Sequence, residues 1–342
     1  MRSISPRVAS AFLIAVFCGC SSQDGGEASS PPGSAVDREA SPPSAAPAPG
    51  NSGAPTFVPT APTSPARDAT SSVLLYAHTD TTLFQIDPEN IAGSIVKIGD
   101  FDCIGGRGEG HAMTDVAVSK DGKIYGISGV ATYPLTIARS RVHCDTIWPF
   151  PASKQFVALA MAPENTLAAT EVLIAGNQDG ELFQIDALTG ATQQVGTLGF
   201  DSESGLPWRL SGDIVLLANN GAPIGFATVR TCERKVCDRV DTLVELNVRA
   251  IKRGRQSVLK TVRGQVRKGD WCTNRESPST FGSMFGIAAY NDKVYGFSRR
   301  GDVIEIRNED GSGCLIEGHA DGAFAGAGVT TVAPVKAPPA PH

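Results

Sequence analysis

The sequence predicts an all-β protein and, more specifically, a five-bladed β-propeller. The first observation is a repeat, because the stretch 72–87 returns at 171–186 and both copies end in the letters LFQID. The second is another repeat, in which 113–128 matches 284–298. Each copy has an apolar strand, a polar turn and a second strand, and a lone hairpin cannot bury its apolar face. The third is composition, since 37 Gly and 23 Pro suit tight turns better than long helices.

The repeats predict units of four antiparallel strands. A third strand with alternating apolar letters recurs at 83–87, 135–139, 182–186, 243–247 and 303–307. First strands are predicted at 113–119, 156–162, 212–218 and 284–290. Outer, fourth strands are predicted at 94–98, 145–148, 193–198, 257–262 and 314–316. Four-stranded repeats at this spacing are typical of a β-propeller.

The predicted propeller occupies residues 72–334 and closes through its last strand. The hairpin at 72–87 begins with a strand of the second type, so the first unit lacks its first strand. The stretch 324–334, FAGAGVTTVAP, has the right pattern and is predicted to supply that strand. This closure would remove the open edge of the sheet. The long fourth unit has room for an extra hairpin, so six blades are the alternative.

The amino terminus carries a targeting signal. Arg2 and Arg7 accompany a short apolar run at 8–17, VASAFLIAVF, which is shorter than the roughly 20 residues that span a bilayer. We therefore predict a signal peptide at 1–19. The letters FCGC at 17–20 resemble the lipobox of bacterial lipoproteins. This resemblance implies a lipid on Cys20 that anchors the protein in the membrane, whereas ordinary cleavage would give a secreted protein.

The residue after the lipidated cysteine indicates which membrane receives the protein. Ser21 stands at this position, and in the enteric sorting rule that implies the outer membrane, on its periplasmic or surface face. The following segment, 20–71, is rich in Pro, Ser and Ala, and so is the tail at 335–342 in Pro and Ala. Such compositions cannot bury enough apolar surface to order the chain. Both segments are predicted to be disordered, the first as a tether.

The cysteines beyond Cys20 predict three disulfides. An even set of six in an exported chain favours disulfide bonds. Two cysteine pairs occupy equivalent places around the 113–128 and 284–298 repeats, and a third pair is close in sequence. The predicted bonds are Cys103–Cys144, Cys272–Cys314 and Cys232–Cys237. The alternative is a zinc site, in which Cys232 and Cys237 combine with His143 or Cys272.

The blade pattern resembles that of a loose set of exported bacterial lipoproteins. The matching letters are LFQID at 182–186, TG at 189–190 and VG at 195–196. DVAV at 115–118 and GKIYG at 122–126 match as well. The resemblance implies a propeller and a location in the cell envelope. It implies no activity, because this set has none assigned.

A hydrolase is the alternative function. Some five-bladed propellers are glycoside hydrolases, whose paired carboxylates face the central channel from the first strands. Asp115 and Asp213 are the obvious candidates here. We expect both instead to accept backbone hydrogen bonds at a strand start, so the protein is predicted not to be an enzyme. The five histidines lack metal-ligand spacing, and no cofactor or metal is predicted.

Two features are candidates for binding. The run 249–268 has eight basic residues and no acidic one, and it includes Arg253, Arg255, Arg263 and Arg267. It would bind an anionic glycan or lipid headgroup, or it would guard a sheet edge against aggregation; the second interpretation is favoured. Trp208 and Trp271 lie near predicted inter-blade loops, where an aromatic ring stacks on a sugar or packs between blades.

The charge balance and the patterns together predict the class of function. A net charge of −5 is too mild to indicate nucleic acid as a partner. The prediction is a monomeric cell-envelope lipoprotein that serves as a binding or scaffold module for an unknown envelope protein or glycan.

Overall fold

A computed structural model describes residues 73–104, 112–150, 155–234, 236–318 and 322–335. Within these ranges the chain is all-β, with two short 3₁₀ turns at Asn219–Gly221 and Val248–Ala250 and no α-helix. No helix in the same ranges has the length and apolar character that a membrane crossing requires. The predicted signal peptide, the tether and all but the first residue of the tail lie outside the described residues.

Twenty-two strands follow one another along the described chain. They are β1 (Leu75–His78), β2 (Thr82–Ile86), β3 (Val96–Phe101), β4 (Met113–Val118), β5 (Ile124–Ser128), β6 (Ala131–Ala138), β7 (Arg141–Cys144), β8 (Trp148–Pro149), β9 (Phe156–Ala162), β10 (Val172–Asn177), β11 (Glu181–Ile185), β12 (Thr192–Thr197), β13 (Trp208–Leu217), β14 (Ile224–Glu233), β15 (Val236–Cys237), β16 (Thr242–Leu246), β17 (Leu259–Gln265), β18 (Met284–Tyr290), β19 (Lys293–Ser298), β20 (Asp302–Arg307), β21 (Gly313–Gly318) and β22 (Gly326–Val329).

The strands form four sheets. The first holds nine strands in the order β22-β1-β2-β3-β7-β6-β5-β4, with β8 beside β6. The second has the order β12-β11-β10-β9, and the third has the order β13-β14-β16-β17 with β15 beside β14. The fourth has the order β18-β19-β20-β21. Apart from one parallel pair, β3 with β7, the named strands pair antiparallel to their neighbours.

The nine-stranded sheet consists of two groups of four strands that meet at the parallel pair. Asp100 lies opposite Arg141 at this junction, and Phe101 lies opposite Val142. Gly99 permits the approach, because a Cβ there would lie 2.4 Å from the carbonyl oxygen of Ser140. At the other end of the sheet, β22 pairs with β1. The carboxyl-terminal strand therefore completes the first group, as the sequence predicts.

The first strands of the groups contact one another in a ring. β4 contacts β9, β9 contacts β13, β13 contacts β18, β18 contacts β22, and β22 contacts β4. The cavity between them measures about 10 Å³ and is lined by apolar residues, among them Leu159, Ile214 and Ile287. This is about the space that a single water molecule needs. The middle of the ring is therefore packed core.

The repeated letters LFQI have the same environment in both copies. Leu83, Phe84 and Ile86 are buried in β2, and the corresponding Leu182, Phe183 and Ile185 are buried in β11. Both faces of these strands are covered, which explains why the apolar letters are consecutive as well as alternating.

Three disulfides cross-link the domain: Cys103–Cys144, Cys232–Cys237 and Cys272–Cys314. These are the three pairs that the sequence predicts. The first and third bonds join cysteines 41 and 42 residues apart, and each ties a segment outside the strands to the outer strand of a group. In the chain-entropy model, each disulfide that closes a loop of this length adds on the order of 2–4 kcal/mol to the free energy of unfolding.

The structure differs from the predicted strands in the second group. Its outer strand is β7, at Arg141–Cys144, and the predicted strand at 145–148 is wrong. Arg139 adopts a positive φ of 56°, which turns the chain tightly enough for β7 to pair directly with β6. Within the fourth group, the extra hairpin is β15, a two-residue strand that pairs with the end of β14.

Candidate functional site

The two candidate catalytic carboxylates lie at equivalent places in the ring. Asp115 is on β4 and Asp213 is on β13, and at each the pairing register with the following strand shifts. The neighbouring first strands carry small residues at the equivalent positions: Ala158, Gly286 and Gly326. Two bulky carboxyl groups and three small residues therefore share one layer of the ring.

Each of the five ring strands directs a backbone amide to this carboxyl pair. The N–H groups of Val116 and Leu159 donate to Asp115, the first at 2.8 Å. Asp213 accepts from the N–H groups of three further residues, which are Ile214, Ile287 and Ala327. The bond from Ile287 measures 2.9 Å. The pair therefore satisfies amides that ring closure leaves without a β-sheet partner.

The two carboxyl groups also hydrogen-bond each other, and both side chains are fully buried. Burial raises the pKa of Asp213 to about 8. Burial, and then the charge of Asp213, raise the pKa of Asp115 well above its ordinary value. Two like charges this close in a dry site cannot both persist, so the pair holds at least one proton at neutral pH.

His78 borders the pair without sharing its proton. Its Nε2 atom lies 3.9 Å from an Asp115 oxygen, and its Nδ1–H donates to the Thr79 carbonyl at 2.8 Å. Burial lowers the pKa of His78 to about 4, so the ring is neutral at pH 7. Gly326 closes the site, because a Cβ there would lie 2.3 Å from both the Asp115 oxygen and His78 Nε2.

This arrangement does not resemble a working glycosidase pair. Such an enzyme separates its carboxyl groups by roughly 5–10 Å and exposes them to the sugar. Asp115 and Asp213 touch each other, have no exposed surface, and already accept backbone hydrogen bonds. That last feature is the role that the sequence analysis expects for them.

A third buried carboxylate, Asp241, has a related role that the sequence analysis missed. Its Oδ2 atom accepts the Met284 N–H at 2.8 Å, at the start of β18. Burial raises its pKa to about 6. The residue precedes β16 by one position, and the sequence offers no repeat that would have marked it.

Of the four predicted arginines on the basic run, one is built into the fold. Arg263 and Lys260 both pair with Glu245, whose side chain is only 4% exposed. Arg255 and Arg267 are exposed and donate to the glutamine side chains of Gln194 and Gln265. Arg253 is exposed and has no side-chain partner among the described residues.

The two candidate tryptophans are engaged within the domain. Trp208 is buried at the start of β13 and packs in a cluster with residues of the second and third sheets. Trp271 is half-buried, and its Nε1–H donates to the Ser312 hydroxyl at 2.8 Å. The Arg307 guanidinium lies 4.6 Å from the centre of the Trp271 ring. Neither tryptophan therefore offers solvent both an uncovered ring face and an N–H group that is available to a ligand.

The zinc alternative is not supported by the cysteine geometry. Cys232 is bonded to Cys237, and Cys272 is bonded to Cys314, so their sulfurs are not thiolate ligands. Asp102 lies beside Cys103 and Cys144, but that pair is a disulfide too. Cys20 lies outside the described residues.

An open groove of about 540 Å³ lies between the second and third groups of strands. Three segments form it: the β4–β5 turn, the β9–β10 loop and the end of β11. Its lining mixes charged side chains with an apolar floor that includes Met161 and Leu173. Pockets of this size are typical of small-molecule sites. The groove is not evident from the sequence, because its three segments are separate turns along the chain.

Glu171 is the most constrained side chain of this groove. Both of its oxygens accept the Lys120 N–H, at 3.1 and 3.0 Å, and one also accepts the Thr331 hydroxyl. Burial raises its pKa, against the lowering effect of the Thr331 bond. Glu171 thus connects the groove to the chain that leaves β22.

Comparisons with known proteins provide no family for this chain. No protein-family model matches it, and no curated protein matches it. Among solved structures it is similar to a protein of unknown function from Bacteroides caccae, with 10% sequence identity and a TM-score of 0.41. The match covers 76% of this chain and 99% of that one. At this TM-score the likeness establishes neither a shared fold nor a function.

Proposed function

We propose that this chain is an exported lipoprotein, anchored through a lipid on Cys20, and that its domain is a five-bladed β-propeller. In this proposal the domain serves as a non-catalytic binding or scaffold module for a protein or glycan of the cell envelope. The signal-like amino terminus supports export and the envelope location, and the arrangement of the strands supports the propeller.

The blade count rests on the ring. Five first strands contact one another in a closed order, and each begins a run of four strands that are hydrogen-bonded side by side. A sixth blade would need a further first strand in that ring. The extra hairpin in the fourth group instead adds the short β15 to the end of β14, which favours five.

The state of the Asp115–Asp213 pair is the observation that carries the non-catalytic assignment. Its oxygens accept amides from all five ring strands, and its carboxyl groups are sealed from solvent. A hydrolase would need these groups free and accessible. The open groove, by contrast, offers space for a ligand without a buried acid and base pair at its centre.

A turnover assay separates the module from a hydrolase. The purified chain is incubated with neutral and anionic polysaccharides, and released reducing ends are measured. We expect no release above that of an Asp115→Asn, Asp213→Asn double variant, checked by circular dichroism to be folded. Release that the double variant abolishes would establish the hydrolase and refute the module.

The lipid anchor has its own test. Cys20→Ser should remove the acceptor thiol, so that the protein leaves the membrane fraction and loses the mass of the lipid. Cys18→Ser is the matched control, since it changes the neighbouring cysteine and leaves Cys20 in place. Equal membrane association of both variants and the unchanged protein would refute lipidation at Cys20.

A further inference from the structure

We infer that the groove between the β4–β5 turn and the β9–β10 loop binds a neutral oligosaccharide. This inference rests on the proposed function, since it names the ligand class and the place at which the binding module would act. Some polar groups of the groove are already bonded within the fold and others are free, and this division indicates the ligand class.

Three carboxylates of the groove are already satisfied. Glu171 accepts the Lys120 N–H and the Thr331 hydroxyl, as described above. Glu164 pairs with the Lys120 ammonium group. Asp186 accepts the backbone N–H groups of the turn that follows it, at 2.8 and 3.0 Å. These groups hold the walls of the groove, and their oxygens are already used within the fold.

A second set of polar side chains lines the groove and makes no hydrogen bond or ion pair within the described ranges. It comprises Asp121, Lys123, Tyr125, Thr170 and Gln184. One carboxylate and one ammonium group cancel in charge, and the other three are neutral groups that both donate and accept hydrogen bonds. This free set has no net charge, and it is rich in paired donor and acceptor capacity.

The floor of the groove supplies the apolar part of the site. Met161, Leu173 and Ile185 are buried beneath it, and the Tyr125 ring packs against the same cluster. Leu188 stands at the rim with 87% of its surface exposed. An amphipathic tyrosine over aliphatic side chains suits a ligand with one apolar face and polar edges.

These features together select the ligand class. Sugar rings combine C–H faces with hydroxyl groups that donate and accept, so they match both the floor and the free set. An anionic ligand is disfavoured, because two lysines face four carboxylates in the lining. A purely apolar ligand would leave the free polar groups without partners, which is costly. The groove is open to solvent, which favours a chain of sugars over a single enclosed ring.

The test is calorimetric titration of the purified full chain with neutral hexasaccharides. The probes are maltohexaose, cellohexaose, laminarihexaose, mannohexaose and chitohexaose, with hexagalacturonate as an anionic comparison. We expect at least one neutral probe to bind. Tyr125→Phe and Gln184→Ala should each weaken that binding by about three- to ten-fold, the effect of one or two lost hydrogen bonds.

Gln193→Ala is the matched control. Gln193 lies directly opposite Gln184 in the β11–β12 pairing and is exposed outside the groove. It should leave binding unchanged, and all variants are checked for an unaltered thermal unfolding midpoint.

The other possible results of the titration overturn the ligand class, the site or the non-catalytic function. No binding of any neutral probe, or binding of hexagalacturonate alone, overturns the ligand class. Binding that Tyr125→Phe and Gln184→Ala leave intact overturns the site while the binding module stands. Release of shorter sugars from a bound probe refutes the non-catalytic function itself.

Discussion

Buried carboxyl groups at two places in this domain are stabilised by different means. At the ring, Asp115 and Asp213 accept backbone amides and share a proton. At the outer edge of the third sheet, Glu245 on β16 is held by the side chains of Lys260 and Arg263 on β17. One site uses the backbone of five strands, and the other uses two cations from a single neighbouring strand.

The difference determines what each site responds to. Backbone amides carry no net charge, so the ring pair keeps a proton, and its contribution to stability depends on pH. The edge site balances its charge with cations that are partly exposed, so its contribution depends on salt. The ion pair with Glu245 also shows that Arg263, which the sequence offers as a binding residue, is already used within the fold.

The largest expected effect comes from removing a ring carboxyl. Asp213→Ala leaves the amides of Ile214, Ile287 and Ala327 without an acceptor, at a cost of about 1–3 kcal/mol each before water enters the space. We expect the free energy of unfolding to fall by about 3–5 kcal/mol, measured by urea denaturation. Asp213→Asn retains a carbonyl oxygen and should lose less than half as much. Equal losses in the two variants would show that the amides do not depend on this acceptor.

The second effect is the pH dependence of the ring pair. The pKa of Asp213 is about 8 in the folded chain, against an ordinary value of 3.8. Between these values the folded chain holds a proton that the unfolded chain has released. Stability therefore falls as pH rises, by up to about 1.4 kcal/mol per unit. The stabilisation from this proton is fully present below pH 3.8, the ordinary pKa, and it is lost as the pH rises through about 8, the pKa in the folded chain.

The comparison with Asp213→Asn isolates this contribution. Asparagine does not titrate, so the stability advantage of the unchanged protein over the variant should shrink steadily from pH 5 to pH 8, as followed by urea denaturation. His78 and Asp241 titrate in both proteins, and their contributions cancel in the difference. Asp115 is buried in both, and burial is the largest cause of its raised pKa, so the difference reports the proton that the pair holds. Parallel stability profiles for the two proteins would contradict a shared proton at this site.

The third effect belongs to the edge. The Arg263 side chain is 19% exposed and the Lys260 side chain 57% exposed, while Glu245 is nearly covered. We expect Arg263→Ala to cost about 2 kcal/mol and Lys260→Ala under about 1 kcal/mol, because solvent screens the lysine more strongly. In a Glu245→Gln background the cost of Arg263→Ala should fall, and added salt should reduce the coupling. A coupling that salt leaves unchanged would mean that packing, not charge, holds the edge.

Part of this fold is predictable from local patterns. The LFQI repeat marks β2 and β11 because both copies have the same apolar order and both are covered on two faces. The cysteine pairs follow from equivalent positions in two related groups of strands. Asp115 is recognisable as a strand-start carboxylate from the letters around it.

The rest depends on contacts between distant parts of the chain. Asp115 and Asp213 meet because β4 and β13 belong to one closed ring, although they are not neighbours in it. The burial of Glu245 under Arg263 follows from the pairing of β16 with β17, which charge counting along the chain does not show. The groove joins three turns from two groups, so no single motif marks it.

The smallest expected effect separates the two interpretations of the basic run. Arg255 and Arg267 are exposed, flank the edge strand β17 and bond only to glutamine side chains, so changing both to Ser should cost under about 0.5 kcal/mol each in thermal unfolding. If they guard the edge, the double variant should nevertheless aggregate faster in light-scattering measurements at neutral pH. Changing Arg275 and Arg300 to Ser removes the same charge from exposed positions elsewhere and should aggregate no faster than the unchanged protein. Equal aggregation of both double variants would assign the effect to net charge. A ligand surface at this edge would be favoured if the Arg255 and Arg267 variant did not aggregate and if it alone lost binding to anionic lipid vesicles.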